Sequence, residues 1–125
     1  MKKKTALLLV AHGSKRSESN LEFKELCKEI EIANATAFER VEYAFLEFEE
    51  PSIDRVVKNM DEKSVKKVYI YPYFLNSGKH VTIDIPNIVF NLRSVYIDME
   101  IEVLSHFGSS KSIVSIISSD LAKIL

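Results

Sequence analysis

The chain of 125 residues carries 17 Lys and Arg against 18 Asp and Glu, a formal net charge of -1, and is 46% hydrophobic. That length fits one domain with a real core, and the balanced charge removes the broad basic field that would draw nucleic acid or an anionic membrane. Cys27 is the single cysteine, which excludes an intrachain disulfide and a cysteine-built zinc cage, and no stretch reaches transmembrane length.

In chain order, Lys2-Lys3-Lys4 reads as a solvated lead-in. The apolar stretch behind it is broken at once by His12-Gly13-Ser14-Lys15-Arg16, too soon for a secretory signal, so the expected location is cytoplasmic. Thr5 to Ala11 is a continuous apolar run that predicts a buried strand. Ser19-Asn20-Leu21-Glu22 offers a capping box for a helix whose apolar face is Phe23, Leu26, Cys27 and Ile30, with the thiol buried and inert. Arg40 to Leu46 predicts a second strand, and Pro51 opens a helix with the face Ile53, Val56, Val57 and Met60. A third strand runs from Lys67 into Pro72. Val81, Ile85, Ile88, Val89 and Leu92 then mark a helix that must hold Pro86 in its first turn, because Pro lacks the N–H that a later position needs. Met99 to Leu104 alternates apolar residues with Glu100 and Glu102, as in a half-exposed strand, and Ile113, Ile116, Ile117 and Leu121 supply a last helix.

Strand and helix alternate throughout, which predicts an α/β fold: a three-layer, open, parallel four-stranded sheet with helices on both faces, forming a single domain over 1–125. Strands one and three are almost wholly apolar and belong in the centre, whereas strands two and four carry charges and suit the edges. The expected order is 2-1-3-4.

That order places the topological switch point between strands one and three, whose C-terminal ends lead to His12 and His80. Imidazole titrates near neutrality and ligates borderline divalent metals, so a pair across one crevice suits proton transfer, metal handling or both. Ser14 and Lys15 follow the first histidine and Ser77 and Lys79 precede the second, a polar surround fit to seat carboxylate or phosphate. Glu47, at the end of strand two, is the carboxylate that the same strand-end rule selects, able to bind metal or to pair with an imidazolium. Tyr71, Tyr73 and Phe74 read as core packing or as a flat apolar wall for a planar ligand. His106 follows an edge strand and is peripheral. No Walker A or G-x-G-x-x-G pattern supports nucleotide binding.

Three motifs, Leu9-Val10-Ala11-His12-Gly13-Ser14, Ala44-Phe45-Leu46-Glu47 with Pro51, and Tyr71 through Pro86 containing Asn76-Ser77-Gly78-Lys79-His80, resemble in order the class II chelatase family, in its small single-domain, CbiX-type sirohydrochlorin cobaltochelatase form. The resemblance implies a chelatase-like half domain acting as a lyase that inserts a divalent metal, Co2+ foremost with Ni2+ or Fe2+ as alternatives, into a sirohydrochlorin-like tetrapyrrole. It implies metal binding and chelation for His12 and His80, with Glu47 a weaker carry-over, and no organic cofactor. Lys15 stands where many relatives have arginine, which keeps the charge but gives up a bidentate carboxylate grip. Larger relatives hold two such halves in one chain, so the resemblance also implies a homodimer enclosing the macrocycle, whose carboxylates would meet Ser14, Lys15, Ser77 and Lys79. A non-catalytic metal or tetrapyrrole carrier is the competing reading. A histidine phosphotransferase is disfavoured because Ala11, not arginine, precedes His12.

Overall fold

A computed structural model describes residues 4–125; Lys2 and Lys3 of the leading run lie outside the described residues. Four strands, β1 (Thr5–Ala11), β2 (Arg40–Phe45), β3 (Lys67–Pro72) and β4 (Glu100–Val103), form one parallel sheet in the order β2-β1-β3-β4. Leu9 sits opposite Tyr43 on one side and Tyr71 on the other, so β1 is flanked along its whole length. Ala6 through Val10 are all buried, because β1 is central and packed on both faces, which is why its sequence shows no alternation. β4 alternates instead. Its Glu100 and Glu102 carboxylates reach Lys67 of the neighbouring strand at 2.8 and 3.3 Å, and the Glu100 contact pushes the Lys67 amine above its ordinary value.

The helices are α1 (Ser17–Ala33), α2 (Ile53–Glu62), α3 (Ile85–Val95) and α4 (Ser112–Ala122). α2 buries Ile53, Val56, Val57 and Met60, the face that its periodicity selects, and its start is fixed by the Ser52 hydroxyl accepting from the Arg55 N–H at 3.2 Å. α3 buries Ile85, Val89 and Leu92 and carries Pro86 in its first turn; a five-residue π-helical segment, His80–Asp84, runs directly into it. α2 and α3 cover one sheet face over Ala6, Leu8, Val10, Val68 and Ile70. α1 covers the other, with Phe23 and Cys27 against Leu7, Leu9 and Phe45.

Two expectations change. The capping box at Ser19-Asn20-Leu21-Glu22 is not the start of α1. The helix begins three residues earlier, with Arg16 at the N-cap and no side-chain cap, which puts Ser19 and Asn20 in its first turn. α4 forms where its periodicity predicts but buries no residue, and it makes at most glancing contact with the other elements. Among the described residues no helix is long and apolar enough to cross a membrane.

Candidate metal-handling site

The loop after β1 is held from two sides. The β1–β2 ladder continues past the strands, with the Leu46 N–H donating to the Ala11 carbonyl at 3.1 Å and the Glu47 N–H to the His12 carbonyl at 2.9 Å. Gly13 then turns with φ +93°, and a Cβ there would stand 1.9 Å from the Glu47 carbonyl oxygen. Only glycine supplies both that dihedral and that approach. On the far side Asn20, 5% exposed and the one buried polar residue among those described, accepts from the Ser14 N–H at 2.9 Å and donates to the Ser14 carbonyl at 2.8 Å. The amide thus clamps the backbone two residues beyond His12 from the first turn of α1.

His12 and His80 meet, with ring centroids 4.5 Å apart. The His12 Nδ1 lies 2.9 Å from the Gly13 carbonyl oxygen, an acceptor, so Nδ1 carries the proton. Its Nε2 faces the Glu47 carboxylate at 3.0 Å. Both ring nitrogens therefore face acceptors, an arrangement that calls for a cation between Nε2 and Glu47, either a proton on the ring or a metal ion. His80 Nδ1 donates to Asp84 Oδ2 at 2.7 Å, four residues on along the π-helical turn. That bond leaves the Nε2 lone pair of the neutral ring available, as in carboxylate–histidine–metal triads. The four side chains are between 31% and 56% exposed, so the site opens to solvent. Glu47, Lys79, His80, Asp84 and Asn87 line a cleft of about 420 Å³ at its side. Among the described residues no group of three or more His, Cys, Asp and Glu side chains is arranged to hold a metal ion by itself.

Aromatic rings bracket the pair. Phe74 stacks on His80 with centroids 6.2 Å apart, and Phe48 meets His12 edge-on at 5.8 Å. Phe48 is 55% exposed and holds φ +66°, a left-handed conformation that costs a non-glycine residue about 1–2 kcal/mol. The Lys15 ammonium lies 5.4 Å from the Phe48 centroid. Of the aromatic run named from the sequence, only Phe74 joins the histidines; Tyr73 stacks on Phe23 and Tyr71 packs in the α1-side core. Lys79 lines the cleft and Ser77 is exposed nearby in the preceding loop. Glu49 pairs with Lys24 at 3.2 Å; the Glu50 backbone N–H and that ammonium hold its carboxyl below the ordinary value. His106 caps the short 3-10 turn Phe107–Ser109, its carbonyl accepting from the Ser109 hydroxyl.

The geometry adds Asp84, Phe48 and Asn20 to the residues singled out from sequence. Asp84 was findable, since a carboxylate four residues after a histidine shares its helical face. Phe48 and Asn20 carry no local signal, because their roles depend on where the β1 loop passes.

Residues 6–124 match the family described as CbiX. The chain belongs to the CbiX family. Among curated members it is 37% identical to the sirohydrochlorin cobaltochelatase of Methanococcus maripaludis over 84 residues, 67% of this chain and 57% of that protein. It therefore spans little more than half of that relative. It is 33% identical to the sirohydrochlorin cobaltochelatase of Sulfolobus acidocaldarius over 123 residues, 95% of this chain and 91% of that protein. The CbiX fold described above superposes on the sirohydrochlorin chelatase SirB from Bacillus subtilis subspecies spizizenii, solved in complex with cobalt, with a TM-score of 0.82 and 25% identity, covering 99% of this chain and 51% of SirB.

Proposed function

We propose that this chain inserts a divalent metal, Co2+ foremost, into sirohydrochlorin, and that the facing imidazoles of His12 and His80 are the groups that handle the ion. The observation that carries this reading is their 4.5 Å separation with a carboxylate on each ring. The metal is a substrate that must arrive, bind and leave into the product. An open site of two facing imidazoles suits that passage, because it grips the ion through few protein donors and leaves the other ligand positions for water and then for the pyrrole nitrogens.

Insertion breaks two pyrrole N–H bonds, forms metal–nitrogen bonds in their place and releases two protons. His80 presents Nε2 while Asp84 holds Nδ1–H, which fixes both tautomer and ring orientation. His12 Nε2 and Glu47 share a cation position, so the ion displaces a proton there on entry, and the same pair is placed to accept one from the macrocycle. Phe48 and Phe74 offer apolar faces to a planar ring, while Ser14, Lys15, Ser77 and Lys79 stand on the surrounding loops to meet its carboxylates. Iron and nickel suit the same donor set as cobalt. No organic cofactor enters the proposed reaction. We also propose that the chain works as one chelatase half domain, 1–125, pairing with a second copy over the macrocycle, in keeping with its near full-length match to the Sulfolobus relative. The compartment proposed is the cytoplasm, in keeping with a single free thiol.

Purified protein, sirohydrochlorin and Co2+ test the reading by absorbance. His12→Ala and His80→Ala proteins stay folded and lose accelerated insertion; wild-type rates in both variants refute the mechanism. Binding spectra without any rate enhancement in the wild type indicate a carrier instead.

A further inference from the structure

α1 reaches two of the loops that meet at the histidines. Asn20 clamps the Ser14 backbone beyond His12. Lys24 lies four residues on, one turn along the same helical face, and its ammonium donates to the Glu49 carboxylate at 3.2 Å. From one helix, the two residues thus brace the loops that carry His12 and Glu47, whose side chains close to 3.0 Å.

The loop after β2 has reason to need a brace. The Glu49 N–H donates to the Glu47 carbonyl, two residues back, at 2.8 Å, and Phe48 between them holds φ +66°. Glu47, Phe48 and Glu49 therefore form a γ-turn of the rare kind with a positive φ at its centre. Such a turn is strained for a residue with a Cβ and persists where its surroundings fix both ends. At one end the Glu47 N–H donates to the His12 carbonyl at 2.9 Å. At the other the Glu49 carboxylate is held twice, one oxygen accepting from the Glu50 N–H at 2.9 Å and the second from Lys24. Lys24 is itself confined, with its ammonium 5.8 and 5.9 Å from the Tyr43 and Phe45 ring centroids. The Lys24 and Glu49 side chains are 31% and 30% exposed, so the pair is screened less than a fully solvated one.

We infer that Lys24 is a positioning residue for metal capture: through Glu49 it holds the γ-turn that sets the Glu47 carboxylate opposite His12 and the Phe48 ring beside it. Lys24 touches neither the ion nor the macrocycle. Without the brace the turn relaxes out of its left-handed conformation and carries Glu47 away from His12, and with it the negative charge that favours a cation there. An incoming ion must then draw the turn back. Apparent affinity falls by the fraction of unliganded chains that keep the turn, whereas the loaded site, with the turn restored, works at its ordinary rate.

The inference rests on the metal-handling reading above, and Co2+ alone tests it apart from chelation. The purified chain is titrated with Co2+ and followed by the visible absorbance of the bound ion. Lys24→Met keeps the aliphatic stem, and Glu49→Gln keeps an acceptor for the Glu50 N–H. Each is expected to raise the half-saturating Co2+ by about 5–10-fold while keeping the far-UV circular dichroism of the folded chain. The double variant is expected to be no worse than either single one, because the two residues act as a unit. Lys24→Arg, which still reaches the carboxylate and stacks on the Tyr43 and Phe45 rings, is expected to restore tight binding. With sirohydrochlorin present, the KM for Co2+ rises by the same factor and kcat stays at the wild-type value. Wild-type half-saturation in Lys24→Met and Glu49→Gln overturns the inference, as does a fall in kcat at unchanged half-saturation. Losses that add in the double variant, or a Lys24→Arg protein as weak as Lys24→Met, overturn it as well. The expected pattern of Co2+ binding in a chain that does not accelerate insertion supports the brace and counts against the chelatase reading alone. A wild-type chain that binds no Co2+ overturns both.

Discussion

Asn20 is the residue whose removal tests most directly how the His12 loop is held. Its amide makes two hydrogen bonds to the Ser14 backbone, at 2.9 and 2.8 Å, from a position 5% exposed. Such bonds contribute about 1 kcal/mol each in net terms. Ser14 is half-buried, so water reaches part of what the amide leaves and the loss in Asn20→Ala is set at about 1–2 kcal/mol. For a chain of this size that lowers Tm by about 4–8 °C. The larger effect falls on the chemistry. Ser14 is two residues from His12, and a displacement near 1 Å at a reacting group costs about 100-fold in rate, so insertion of Co2+ is expected to slow by roughly 10–100-fold. Asn20→Asp keeps an acceptor for the Ser14 N–H but sets a carboxylate against the Ser14 carbonyl, and is expected to be at least as damaging. Ser14→Ala keeps both backbone bonds and is expected to hold Tm near wild type. Thermal denaturation followed by circular dichroism and insertion followed by absorbance read the two effects. A wild-type Tm together with a wild-type rate in Asn20→Ala refutes the clamp.

Gly13→Ala meets both a φ of +93° and the Glu47 carbonyl; we expect it to lose at least 2 kcal/mol in urea denaturation and to displace Glu47 from His12, and a wild-type urea midpoint would contradict the close approach. Burial pushes the Cys27 thiol from 9.0 to about 12, so it is expected to react with a thiol reagent only as the chain unfolds, at a rate that tracks denaturant. The same shift has a defined pH consequence. The unfolded thiol ionises above pH 9 while the folded one stays neutral, so this group's contribution is constant below about pH 9 and turns against the folded state as pH rises toward 12. Cys27→Ala is expected to flatten that alkaline decline, and an unchanged slope would show that other groups set it.

Most of the fold was legible because each strand's surroundings are written in its polarity. β1 is apolar at every interior position and is buried on both faces, while β4 shows the alternation of an edge, and together they yield the order β2-β1-β3-β4. The two histidines followed from that order, since residues beyond adjacent central strands must share a crevice. The start of α1 did not follow. Asn20 looks like part of a cap in one dimension, and only the path of the Ser14 loop shows that its amide is used in three. Phe48 escaped for a related reason: its left-handed backbone comes from the turn that brings Glu47 back to His12. The separation of α4 from the sheet was equally illegible, because periodicity reports that a helix has an apolar face and not which surface that face meets.

Phe74 carries two attachments that look unrelated until they are joined. Its ring stacks on His80, and its carbonyl is the acceptor for Gly108, at the root of the segment that leads to α4. One residue thus connects the imidazole at the cleft with the stem of the last helix. A tag, fusion or surface attachment placed beyond Ser110 is joined through that stem to the backing of His80, whereas one placed at the Lys63-Ser64 turn after α2 lies at the opposite end of the strands from the site.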